Sequence, residues 1–247
     1  MELITIHTPE SVGAAASLPG KSAFMIYRTD AEGRLTRAEG VSVPRGSLMG
    51  VFLERASSSL AADVLAEAES AGASGVLFDA EGALSPEASA AVRRCAEKLP
   101  VYLPAALKAD APGAYRLVET AVTGGSLRKK LLDAVAAVGS ARVFLDIERL
   151  RMDFTLPHQS ERGRSLTPEA LRALYARRAA GPHFSPDLCA WYFRCRDGAG
   201  TRFVLYDDLY SVRQKLSLAS SLGIGGAFLY YRETEDFIRP LLASPRG

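Results

Sequence analysis

Eight short runs rich in valine, isoleucine, leucine and phenylalanine punctuate this chain, and most are separated by longer segments with the period of an amphipathic helix. The runs are Leu3–His7, Ala23–Arg28, Ser47–Leu53, Gly75–Asp79, Val101–Pro104, Tyr115–Ala121, Arg142–Ile147 and Gly226–Tyr231. Parallel strands produce this pattern, because each is covered on both faces and each return crossing needs a helix. Eight such units close into a (β/α)8 TIM barrel, an α/β fold of about 250 residues, and the chain has 247. We therefore expect one barrel domain spanning residues 1–247.

The crossovers read as helices. Leu60–Ala71 puts Leu60, Val64 and Leu65 on one face after a serine cluster able to supply an N-cap. Pro86–Lys98 follows Ser85, Ser126–Val138 carries Leu127, Leu131, Leu132 and Val135, and Ser211–Leu222 ends at Gly223, a natural residue to follow a helix. Regularity breaks in two places. One is the stretch AEGRLTRAEGVSVPRG after the second run. The other is the long interval between the seventh and eighth runs, which holds a helix at Thr167–Arg178 and then a β-hairpin, CAWYFRCR and TRFVLYD about Asp197-Gly198-Ala199-Gly200. This interval is expected to be a β-hairpin insertion on the barrel between strands 7 and 8.

Composition narrows the partners. Thirty Lys and Arg against 28 Asp and Glu leave a formal charge of +2, too balanced for a surface that tracks nucleic-acid phosphates or an anionic membrane. No run approaches the ~20 apolar residues of a membrane span, and MELITIHTPESVG has no export signal, so a cytoplasmic location is the expectation. Cys95, Cys189 and Cys195 show no CxxC spacing, and His7, His158 and His183 are scattered, so neither a metal site nor another cofactor is expected. Oligomeric state is not encoded legibly.

Chemistry is concentrated in carboxylates at strand ends. The fourth run finishes SGVLFDAE, and the alternation of a strand points Asp79 and Glu81 the same way, toward the mouth where barrel active sites are built. The same D-x-E spacing also suits a helix cap or a solvated loop. Asp146 and Glu148 end the seventh run in the same arrangement, and Glu119 on the sixth is a third acidic candidate, or an ordinary partner for Arg116 or a lysine. Acid, base, electrostatic and divalent-cation roles are all open to such groups.

The order of elements, beyond any single residue, resembles the family 18 glycoside hydrolases, in their branch of spore-germination and cortex-lytic N-acetylglucosaminidases. SGVLFDAE aligns without a gap with that family's DGxDxDxE, often DGVNIDFE in this branch. RVFLDIERLRMDFT at Arg142–Thr155 is similar to its KILLGIPLYGYDWT, and Trp191–Tyr230 resembles PYFxYxDxxGxxHxVWFEDxxSxxAKLxLxxxxGLxGxxxW, with Asp207-Asp208 and the Ser211 helix in order. AFMIYRTDAEGRL at Ala23–Leu35 is also like its second strand and following hairpin.

The resemblance implies substrate-assisted hydrolysis of a β-linked N-acetylglucosamine glycan of the peptidoglycan or chitin type, and association with a spore or cell wall. Glu81 would protonate the leaving oxygen, Asp79 would stabilise the cyclised acetamido intermediate, and Tyr27, Tyr206 and Tyr230 would contact sugar. Departures are plain. The sixth-strand MxYD is replaced by Glu119-Thr120-Ala121-Val122, Tyr230 stands where the family has a floor tryptophan, and Leu150 replaces the tyrosine of IPLYG. Losing one group that aligns the acetamido oxygen costs about 2.7–4 kcal/mol by analogy with an oxyanion-hole donor. A degenerate barrel that binds glycan or protein without turnover is the alternative, and Asp79, Glu81, Asp146 and Glu148 in a metal-assisted hydrolase or lyase a third.

Overall fold

All eight apolar runs form strands in the computed structural model, which describes residues 1–156, 163–197 and 200–243. The barrel strands are β1 (Glu2–His7), β2 (Lys21–Thr29), β3 (Leu48–Leu53), β4 (Gly75–Ala80), β5 (Val101–Pro104), β6 (Tyr115–Glu119), β7 (Val143–Ile147) and β8 (Gly226–Tyr230). Each pairs parallel with the next, and β1 pairs with both β2 and β8, so the sheet closes. This is the expected (β/α)8 barrel.

Alternation sorts the side chains into two layers. Ile4, Ile6, Ala23, Leu48, Leu77, Tyr102, Leu117, Phe144 and Phe228 face inward. Outside, Phe24, Val51, Val76 and Phe78 pack with Leu60, Val64 and Val92 of the covering helices. Leu60 and Val64, on the stripe read from the sequence, are fully buried, and each such residue stabilises by about 1.5–3 kcal/mol. Ser85 caps the helix Pro86–Ala96 by accepting from the Ala88 N–H at 3.1 Å.

The lower barrel is filled by rings. Tyr102 stacks on Tyr115 with centroids 4.6 Å apart, and Phe144 meets both edge-on at 5.2 and 5.6 Å. Phe228 completes the plug 5.3 Å from Tyr102. Above these rings the interior is open.

The interval between β7 and β8 contains the expected hairpin, Ala190–Asp197 against Gly200–Tyr206. The structure adds more: Gly200–Tyr206 also pairs with Arg151–Leu156, and the hairpin lies within a five-stranded antiparallel sheet. Helix Pro168–Ala176 covers one face through Leu174, Phe193, Cys195 and Val204. The irregular stretch after β2 includes a short strand, Leu35–Arg37, folded back on β2. Helix Leu209–Ser221 starts earlier than Ser211, because Asp208 is its N-cap and Ser211 occupies the third helical position of a reciprocal capping box. None of the described residues forms a helix long and apolar enough to cross a membrane.

Candidate active site at the barrel mouth

A cavity of about 740 Å³ opens at the C-terminal ends of the strands, within the range of small-molecule sites. Ile6, Met25, Leu77 and Leu117 form its apolar floor above the aromatic plug. Alternation explains the acids above them. Leu77 faces inward, so Asp79 two residues on does as well; Leu117 likewise delivers Glu119, and Phe144 delivers Asp146 and then Glu148. Glu119 and Asp146 are paired across β6 and β7. Tyr230, two residues after Phe228, completes the wall.

These carboxylates perturb one another. Burial, aided by Glu148, Asp79 and Glu119, pushes the Asp146 carboxyl up to about 7. Asp79 is raised by burial, opposed by the Ala80 N–H donating to its Oδ1 at 2.8 Å, and raised again by Glu81. Glu148 is raised by desolvation and by Glu119, Asp79 and Glu233. Lys130 lies 3.6 Å from Glu119 at the rim. Asp146 can therefore hold a proton near neutral pH, as acid–base work requires.

Not every expected residue arrives at the cavity. Glu81 is exposed in the bend that follows β4 and is not part of the lining, although its charge is felt at Asp79. Strand alternation does not extend past Ala80, so the shared direction expected for Asp79 and Glu81 is lost at the strand end. Tyr27 points outward and donates to Glu67 Oε1 at 2.8 Å. Counting by twos from Ala23 and Met25 would turn it inward, but the register slips by one residue between Met25 and Tyr27. Such a bulge reverses every later side chain of a strand. Tyr206 packs in the inserted sheet against Phe193 and Tyr175.

Two arginines of the lining, Arg149 and Arg151, escape the sequence reading. Arg149 donates to Asp236 at 2.8 and 3.0 Å and lies over the Phe237 ring, while Arg151 pairs with Glu233. Their partners lie after β8, so the spacing of RLR carries no local signal. Leu150, between them, is buried in a cluster with Ala190 and Leu205 of the inserted sheet.

The two described histidines stay out of the site. His7 is buried outside the barrel, stacked on Phe24 and Tyr231, with Nδ1 on Ser11 O and Nε2 on Thr5 Oγ1. His183 lies beside Tyr192 in the insertion, and His158 falls outside the described residues. Among the described residues, no group of three or more His, Cys, Asp or Glu side chains is placed to hold a metal ion.

No family model matches the chain, and no curated protein matches it in sequence. Solved structures do match in fold. The spore cortex-lytic enzyme SleL of Bacillus megaterium superposes with a TM-score of 0.66 at 16% identity, covering 93% of this chain and 70% of that one. A chitinase of Chromobacterium violaceum gives 0.66 at 15% identity over 94% of each chain. The class V chitinase of Nicotiana tobaccum gives 0.69 at 12% identity over 98% of this chain and 97% of that one, and a variant of it was solved in complex with NAG4. At such identities the likeness establishes the fold alone, a (β/α)8 barrel like those of the cortex-lytic enzyme and the chitinases.

Proposed function

We propose that this chain binds and cleaves a β-linked aminosugar glycan in the cavity at the barrel mouth. The supporting observation is the cavity itself, a sugar-sized hollow with an apolar floor, an aromatic wall at Tyr230 and the carboxylates of Asp79, Asp146 and Glu148 above them. Family 18 resemblance supplies the chemistry. Glu81, swinging in from the rim, gives its proton to the glycosidic oxygen as the C1–O bond breaks, and the acetamido carbonyl oxygen bonds to C1. Asp79 stabilises the resulting positive ring. Water then adds to C1 as it loses a proton to the Glu81 carboxylate, which restores both the acid and the acetamido group.

The test is release of reducing ends from N-acetylglucosamine oligomers. Glu81→Gln should lower it by about 10²–10⁴. Unchanged turnover in that variant overturns the assignment.

A second reading is binding without turnover. Two observations favour it: Glu81 stands outside the lining, and Ala121 replaces the sixth-strand tyrosine. Saturable binding with no product from the unmodified chain would select this reading. The same glycan class would fit a spore or cell-wall setting.

A further inference from the structure

A crossover without a helix leaves a second cavity on the outside of the barrel. After β2 the chain forms the short strand Leu35–Arg37, then returns to Ser47, just before β3, as irregular backbone. The crossover before β2 supplies only the single-turn helix Val12–Ala15. Parallel strands are ordinarily covered by full helices on their faces, and here two short pieces cover the outer face of β2. The space between them is about 790 Å³, within the range of small-molecule sites.

Its floor is apolar and its rim is cationic. Phe24, buried and pointing outward from β2, forms the floor with Val12 and Ala15 on one side and Val41 on the other. Lys21 and Arg45 stand at the rim, and no carboxylate lines the space. The Lys21 ammonium has Glu2 at 3.7 Å, beyond hydrogen-bond reach. Arg45 makes no ion pair among the described residues. Its guanidinium carbon is held 2.9 Å from where a Cβ on Gly72 would stand, at the C-terminal end of helix Leu60–Ala71. Ser42 adds a hydroxyl to the same wall, while that of Ser22 is engaged with Thr5 at 3.1 Å.

An apolar floor beneath two cations, with no acid to answer them, is complementary to a molecule that joins a hydrocarbon body to one negative head. We propose that this outer cavity binds a small amphipathic anion of the fatty-acid kind. Its tail lies on Phe24, Val12 and Val41, where burial removes hydrocarbon from water. Its carboxylate reaches Lys21 and Arg45 and accepts charge-assisted hydrogen bonds from them. The hollow at the barrel mouth has the opposite charge, with Asp79, Glu119 and Glu148 in its lining. The two cavities therefore do not compete for such a ligand.

Calorimetric titration of the full chain with octanoate, hexanoate and octanol, at about pH 7.5 where carboxylic acids are ionised, tests this. Octanoate should bind more tightly than hexanoate by roughly tenfold, the effect of two more buried methylenes. It should bind more tightly than octanol by about fivefold, the scale of an exposed ion pair. That margin over octanol should shrink at high salt and in Lys21→Gln/Arg45→Gln. Ala16→Trp, at an exposed position of the lining, should weaken octanoate and octanol alike. Far-ultraviolet dichroism of the variants checks that the fold is retained. Octanol bound as tightly as octanoate, a margin untouched by the double substitution, or octanoate affinity unchanged in Ala16→Trp overturns the proposal. So does the absence of octanoate binding at millimolar concentration.

Discussion

Lys215 and Asp207 form an ion pair with neither side chain reaching solvent, Nζ to Oδ2 at 2.5 Å. The same carboxylate accepts the Leu150 N–H at 2.9 Å and the Ser211 hydroxyl at 2.8 Å. It thereby ties the end of the inserted sheet, the turn after β7 and helix Leu209–Ser221 together beneath the cavity wall. Removing one partner of such a pair strands the other charge in the interior. Lys215→Met should destabilise the protein by about 3–5 kcal/mol in denaturant unfolding. A loss under 1 kcal/mol, the scale of a surface pair, would show that the pair is not holding these segments.

Tyr27 provides a test of the bulge in β2. Its phenol donates to Glu67, and burial with the Glu67 carboxylate beside it pushes its pKa up to about 12. Tyr27→Phe should cost about 0.5–1.5 kcal/mol of stability, the net worth of one hydrogen bond. Glycan affinity should be unchanged, because the ring lies behind the barrel wall. Weakened binding without loss of stability would place Tyr27 in the cavity after all.

Asp146 makes stability depend on pH in a stated direction. Its carboxyl titrates at about 7 in the fold against about 3.9 unfolded. Between those values the folded state holds more protons, so stability falls as pH rises from about 4 to about 7 and is level above. Asp146→Asn should remove that slope and raise unfolding free energy at neutral pH by on the order of 2–4 kcal/mol, with little gain at about pH 4. Chemical unfolding at the two pH values measures this. Equal effects at both would mean that the charge is not the cause.

Gly226 tests the plug below the cavity. A Cβ there would stand 2.3 Å from Phe144 Cε1 and 2.6 Å from Glu2 O, with backbone on one side and a packed ring on the other. Gly226→Ala should cost about 1–3 kcal/mol, as overpacking does, and should displace the rings on which the cavity floor rests. A neutral thermal midpoint would mean that the plug yields more readily than its edge-to-face contacts suggest.

The sequence by itself determined the number, order and direction of the barrel strands, because period and strand length are local signals and each apolar run carries its own. The order of motifs then pointed to a barrel with an insertion before its last strand, with the hairpin already in its place. Tertiary structure decided which acids share a space. Asp146 meets Asp79 only when the sheet closes, and closure sets distances that spacing along the chain does not encode. A one-residue slip in β2 turned Tyr27 away from the cavity, and the end of β4 at Ala80 left Glu81 outside the lining. Alternation is a rule about unbroken strands, and bulges and strand ends are fixed by pairing with neighbours that the local sequence does not name.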